Sequence, residues 1–166
     1  MQGEFQAATN AAAMKALELK IPPVIWVVMH LAVMHYSAGL LPALNFQISR
    51  LWSLLALSLG LAVALSGIAA FRAAKTTVNP LQPGQARSLV IVGIYRFTRN
   101  PMYVGALFVL TAWFLFLQNW LPMLFLGTFV WILTRLQIKP EERVLIGRFG
   151  EEYAAYCRRV PRWIGF

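Results

Sequence analysis

The chain has 166 residues, 59% of them hydrophobic and 13% charged, with a mean hydropathy of +0.62. Soluble domains carry about 25% charged residues, so the composition excludes an ordinary soluble domain and indicates an integral membrane protein. Fifteen Lys and Arg stand against six Glu and no Asp, for a net charge of +9, yet the basic residues flank apolar runs. That placement fits cytoplasmic loops and anionic lipid headgroups, and it argues against a nucleic-acid partner. The single cysteine, Cys157, allows no internal disulfide and no thiolate cluster.

Residues 1–20 are Ala-rich and mixed in polarity, and lack the apolar core and cleavage site of a secretory signal. They predict a short surface segment. Residues 21–71 predict two membrane spans. The first apolar run, Ile21 to about Phe46, opens at Pro22-Pro23 and exceeds the ~20 residues that a spanning helix needs, and Pro42 is expected to end or kink its helix. His30 and His35 within it are five apart and face different ways, so satisfied polar residues are expected there and no metal site. The second run, Leu51–Phe71, places Ser53, Gly60 and Gly67 as small positions where another helix can approach closely.

A polar interval follows at residues 72–100, with five basic residues and no acid. Asn79-Pro80 and Pro83-Gly84 are turn signals, while Leu89–Ile91, Ile94 and Tyr95 argue for order. At its end Asn100 is placed as an N-cap and Pro101 at the first helical position. Arg96 and Arg99 beside that helix start predict attraction of an anion.

The third run, residues 101–137, is too long for one span at ~1.5 Å per residue. It predicts a membrane hairpin, Pro101–Leu117 and Trp120–Gln137, turning at Gln118-Asn119. Residues 138–166 then predict an amphipathic C-terminal helix, with Leu145, Phe149, Tyr153 and Tyr156 at helical spacing. The expectation is an all-α integral membrane protein of about four transmembrane helices in one domain, with a cytoplasmic-face loop and a C-terminal helix. Both termini are expected on the cytoplasmic side of a prokaryotic inner membrane, because that orientation puts every basic interval on one side. It also puts Arg87–Asn100 beside Glu141-Glu142. Arginines, a helix N-terminus and a carboxylate together suit a zwitterion, and Tyr95 and Tyr103 suit a ring or sulfonium face.

Ser88–Gly105 reads Ser-Leu-Val-Ile-Val-Gly-Ile-Tyr-Arg-Phe-Thr-Arg-Asn-Pro-Met-Tyr-Val-Gly. It resembles the core motif of the isoprenylcysteine carboxyl methyltransferases and of the related phospholipid methyltransferases. Pro-Glu-Glu at Pro140–Glu142 with Leu145, Phe-Gly-Glu-Glu-Tyr at Phe149–Tyr153, and Tyr156 before Arg159-Val160-Pro161 resemble the second motif, and Thr76-Thr77-Val78 with Pro80 the lead-in. The resemblance implies a membrane enzyme that methylates a lipophilic small molecule or lipid (a carboxylate, amine or thiol) from S-adenosylmethionine, without a Rossmann domain or a metal. It implies cofactor contacts at Arg87, Ser88, Leu89, Val90, Tyr95, Asn100, Pro101, Met102, Tyr103, Glu141 and Glu142. Arg99 is placed to orient an anionic acceptor, and Glu142 to meet the cofactor ammonium or a proton. Relatives with a prenylcysteine substrate have Arg where this chain has Gln137, with Arg135 as the nearby substitute, so those two are the expected substrate-side residues. The competing expectation is a non-catalytic membrane scaffold or transport subunit that keeps the fold.

Overall fold

A computed structural model describes residues 18–74 and 88–165. Within them the backbone is helical, apart from turns, loops and one antiparallel bridge between Asn45 and Asn119. The expected surface segment before Glu18, the lead-in at Thr76–Pro80 and Arg87 lie outside the described residues.

Helix α1 runs Pro23–Ala38, with Pro at its first position. It is shorter than the apolar run, in line with the end or kink expected at Pro42. Gly39 caps it, donating back to the Tyr36 carbonyl, and Pro42 opens a separate 3-10 turn at Pro42–Leu44. His30 is satisfied as expected: Nδ1 lies 2.7 Å from the Trp26 carbonyl and Nε2 lies 3.3 Å from Thr128 Oγ1.

Helix α2, Arg50–Ala73, begins where the Ser49 hydroxyl accepts from the Leu51 amide at 3.3 Å. Among the described residues it is the one helix both long and apolar enough to cross a membrane. At ~1.5 Å per residue it measures about 36 Å, against about 30 Å of hydrocarbon. Its buried residues are Ser53, Gly60 and Gly67, and its leucines are exposed. The small face packs on α3, Pro101–Leu117. A Cβ on Gly60 would sit 2.8 Å from the Gly105 carbonyl oxygen, and one on Gly105 would sit 2.6 Å from that of Gly60. No side chain fits between these backbones, so the sequence pattern of small residues sets the crossing.

The hairpin turn falls where predicted. Gln118 takes a left-handed conformation (φ 52°) and ends α3. Asn119 is fully buried and donates to the Leu41 carbonyl at 2.9 Å and to Asn45 Oδ1 at 2.7 Å. Gln118 Nε2 donates to the Ile48 carbonyl at 2.6 Å. One polar cap thus joins the α1–α2 connection to the hairpin turn and satisfies backbone groups that apolar surroundings would leave unpaired.

The second arm differs from the expectation in both bounds. It starts after Pro122 as α4, Met123–Leu133, and does not stop at Gln137. A π-helical turn, Thr134–Ile138, carries it without a break into α5, Lys139–Phe149. Pro140 accounts for the turn. It has no N–H for the Leu136 carbonyl, and its ring crowds that oxygen, so the coil widens there. The Lys139 amide reaches back to the Thr134 carbonyl, five residues away. The Leu136 carbonyl instead accepts from the Leu19 amide at 3.1 Å. The single C-terminal helix predicted is two, because Gly150 (φ 55°, ψ −128°) turns the chain before α6, Glu151–Arg159.

Two apolar clusters result. Met34, Leu110, Phe114, Phe129, Leu133 and Trp163 fill the space among α1, α3 and α4. Tyr153, Tyr156 and Val160 form the other, with Leu145 and Phe149 from α5 and with Leu89 and Ile91 from the polar interval. The apolar residues expected to order that interval therefore dock it against α6.

Candidate functional site

The two motif segments meet at the end of the molecule opposite the Asn119 cap. A 3-10 turn, Gly93–Arg96, leads into α3 and turns Tyr95 inward, where it is 4% exposed. Phe71 meets its ring edge-on at 5.4 Å, and the Tyr156 hydroxyl donates to its carbonyl at 2.8 Å. Burial, then Tyr156 and Glu141, push the Tyr95 hydroxyl well above the usual tyrosine range, so it stays a donor.

Asn100 begins α3, and its carbonyl accepts from the Tyr103 and Val104 amides. The expected side-chain cap is absent: the Asn100 amide group donates instead to the Arg162 carbonyl at 3.0 Å. That carbonyl also accepts from the Thr98 hydroxyl at 2.9 Å, and the Arg99 amide donates to the Pro161 carbonyl at 2.9 Å. The tail competes successfully for the Asn100 side chain and ties itself to the helix start.

The adjacent acids have different surroundings. Glu142 is buried beneath two guanidiniums. Its Oε1 lies 2.8 Å from Arg99 Nη1 and accepts from Arg162 Nε at 2.9 Å. Its Oε2 accepts from Arg162 Nε at 3.1 Å and from Nη2 at 2.8 Å. Arg99 Nη1 is also 2.6 Å from Cys157 Sγ. Glu141 is half-buried and accepts from the Tyr103 hydroxyl at 2.5 Å. Burial, the largest cause, pushes its carboxyl from 4.5 up to about 8; Glu142 adds to the rise and the Tyr103 bond opposes it.

Among the described residues, three buried donors in this region have no partner: Tyr95 OH, Arg99 Nε and Gln137 Nε2. Each such group costs about 1–3 kcal/mol if left unmet. The π turn explains Gln137, which it rotates inward to 1% exposure while Arg135 is exposed. Tyr95, Arg99, Tyr103, Gln137, Glu141 and Glu142 are thus gathered around one end of α3. Pro101 and Met102 pack instead under Gly67 of α2, Leu89 sits against the α6 tyrosines, and Ser88 is half-buried while Val90 is buried. Arg162 was not singled out from the sequence. Its one signal was position, next to Pro161 at the end of the second motif.

Beside the cluster, Val104, Leu107, Phe108 and Thr111 of α3 line an apolar groove of about 250 Å³ with Trp163 and Ile164. The Trp163 indole N–H is held by the Thr134 hydroxyl at 3.0 Å.

This arrangement of two motifs on one helical frame has a counterpart among known proteins. The phospholipid methyltransferase family matches residues 48–152, well over half of the chain. The chain belongs to that family. A 63-residue stretch, 38% of the chain, is 40% identical to an uncharacterized protein of Haemophilus influenzae and covers that protein's whole length. The protein-S-isoprenylcysteine O-methyltransferase of Schizosaccharomyces pombe is 33% identical over 76 residues, 46% of this chain and 32% of that protein. Its Mus musculus counterpart is 33% identical over 85 residues, 51% of this chain and 30% of that protein. The chain therefore spans about a third of the length of those two methyltransferases. No solved structure matches it. Membership supports methyl transfer as the general chemistry, and the composition and α2 fit a helical membrane protein.

Proposed function

We propose that this member of the phospholipid methyltransferase family is an enzyme that moves a methyl group from S-adenosylmethionine to a lipophilic acceptor at the cytoplasmic face of the membrane. The observation that carries the reading is the set of unpartnered buried donors, Tyr95 OH, Arg99 Nε and Gln137 Nε2, beside the carboxyl of Glu141. Oxyanion-accepting donors and an ammonium-accepting acid are what a zwitterionic amino-acid group requires. The cofactor, when bound, supplies a methyl group already activated on a sulfonium. Tyr95, Gln137 and Arg99 would hold its carboxylate end and Glu141 its ammonium. Glu142, clamped by two guanidiniums, acts on Arg99 and has little capacity left for a ligand.

What this chain must add is position and dryness. The acceptor would have to be held in line with the S–CH3 bond of the bound cofactor, with water kept out. Holding the two reactants so aligned can contribute on the order of 7–11 kcal/mol. The groove along α3 offers an apolar wall for the acceptor's chain, rising about 10 Å from Val104 to Thr111 at ~1.5 Å per residue. Four spans with both termini inside place Arg96, Arg99, Arg143, Arg158, Arg159 and Arg162 on one face.

Calorimetry on protein in lipid nanodiscs tests the reading. Saturable S-adenosylmethionine binding is expected, weakened about tenfold or more by Glu141→Ala or Arg99→Ala. Transfer of labelled methyl from S-adenosylmethionine into a lipid extract, read by mass, then identifies O-, N- or S-methylation. No saturable binding in nanodiscs or in several detergents leaves the scaffold as the better reading.

A further inference from the structure

The tail after α6 lies beyond the stretch that the family matches, yet it makes the densest polar contacts at the site. Arg162 spends its guanidinium on Glu142, donating through Nε to both carboxylate oxygens and through Nη2 to Oε2. Its backbone carbonyl meanwhile accepts from Thr98 and Asn100, on either side of Arg99. Arg99 is thus gripped twice: its backbone between Pro161 and Arg162, its side chain by the Glu142 that Arg162 holds.

The Arg99 guanidinium is accordingly aimed by others. Its Nη1 end is occupied by Glu142 Oε1 and Cys157 Sγ, its side chain is 9% exposed, and its Nε has no acceptor. A guanidinium free to choose would turn two donors onto one carboxylate in a forked pair. It does not, because Arg162 already takes both oxygens of Glu142.

We propose that Arg162 is a positioning residue: by saturating Glu142 it denies Arg99 the forked pair and so keeps the Arg99 Nε edge directed at the ligand's oxyanion. The proposal rests on reading Arg99 as a ligand-facing residue, and Cys157 allows the two to be judged apart. Cys157 is the only cysteine in the chain, so thiol alkylation reports on the Arg99 contact without any cofactor. Departure of the guanidinium from the sulfur is what the alkylation rate reads.

In Arg162→Gln, Arg99 should rotate onto the vacated Glu142 oxygen and leave the sulfur. The iodoacetamide rate at Cys157 should fall several-fold at fixed pH, and the Michaelis constant for S-adenosylmethionine should rise about tenfold with a smaller change in turnover. Arg162→Lys, which keeps a cation on Glu142, should recover most of both. In a Glu142→Gln background, Arg162→Gln should add nothing. A tail that merely loosened would uncover Cys157 and raise the alkylation rate. A raised or unchanged rate overturns the proposal, as do additive effects of the two substitutions. If the wild-type protein binds no S-adenosylmethionine, the methyl-transfer reading fails, while the alkylation series still decides whether Arg162 aims Arg99. Melting temperatures identify variants that have lost the fold, and Arg162→Lys then carries the comparison.

Discussion

Glu141 and Glu142 are neighbours in sequence, and a step of one residue on a helix, about 100°, gives them opposite chemistry. Glu142 faces two guanidiniums, while Glu141 faces the Tyr103 hydroxyl, with no cation in hydrogen-bond contact among the described residues. Its carboxyl is raised from 4.5 to about 8, chiefly by burial. The linkage sign follows from that direction. Between pH 4.5 and about 8 the folded protein holds a proton there that the unfolded chain has released. Glu141 thus favours folding fully below pH 4.5, and its contribution is lost as pH rises through about 8. Melting temperature should decline over that window in wild type and less so in Glu141→Gln, which keeps the hydrogen bond and removes the titration. Binding of an ammonium should follow the opposite course, strengthening as the carboxyl ionises toward pH 8. A Glu141→Gln protein with an unchanged pH profile for both quantities would remove Glu141 from the ligand site. The sequence offered both acids as candidates. It put Glu142 forward for the ammonium, and the pairing that separates the two was not legible, because the partner of Glu142 is Arg162, twenty residues on and brought back by the turn at Gly150.

At the scale of elements, what was legible depended on how local its cause was. The small face of α2 and the turn at Gln118-Asn119 were readable, since close approach needs small residues and a polar pair interrupts an apolar run. The Leu136 carbonyl of the π turn and the Asn100 side chain at the start of α3 were not, because each finds its partner far along the chain, at Leu19 and at Arg162. Neither tie has a periodic signature. The α2–α3 crossing is the strongest of the readable features and can be tested directly. A Cβ at Gly105 would press on the Gly60 carbonyl oxygen and on Ala64 Cβ at 2.6 and 2.8 Å, and the first of these is backbone and cannot swing aside. Gly105→Ala should therefore lower the melting temperature in detergent, by an overpacking cost of about 1–3 kcal/mol. Gly127→Ala, where a Cβ meets nothing within 4 Å, should leave it unchanged or raise it slightly. Equal behaviour of the two variants would mean that the helices are not crossed at Gly105.

Across the whole molecule the two ends are unlike. One carries the neutral cap of Asn45, Gln118 and Asn119, with Arg50 the basic residue beside it, its guanidinium 4.7 Å from the centre of the Phe116 ring. The other carries the motif cluster, α5 and α6, with Arg96, Arg99, Arg143, Arg148, Arg158, Arg159 and Arg162. Short loops rich in Lys and Arg are retained in the cytoplasm, so the orientation proposed is site inside and cap outside. That orientation would serve the chemistry proposed, because S-adenosylmethionine is a charged, water-soluble molecule supplied from the cytoplasm. Two cysteines decide the matter. Cys157 should react with a membrane-impermeant maleimide only after cells are permeabilised. Gln47, exposed in the α1–α2 connection, should react from outside as Gln47→Cys in a Cys157→Ser background. Labelling of both from the same side would break the two-ended arrangement, since residues 47 and 157 would then not be separated by the bilayer. Labelling of Cys157 alone in intact cells would invert the chain and place the site away from the cytoplasmic cofactor supply.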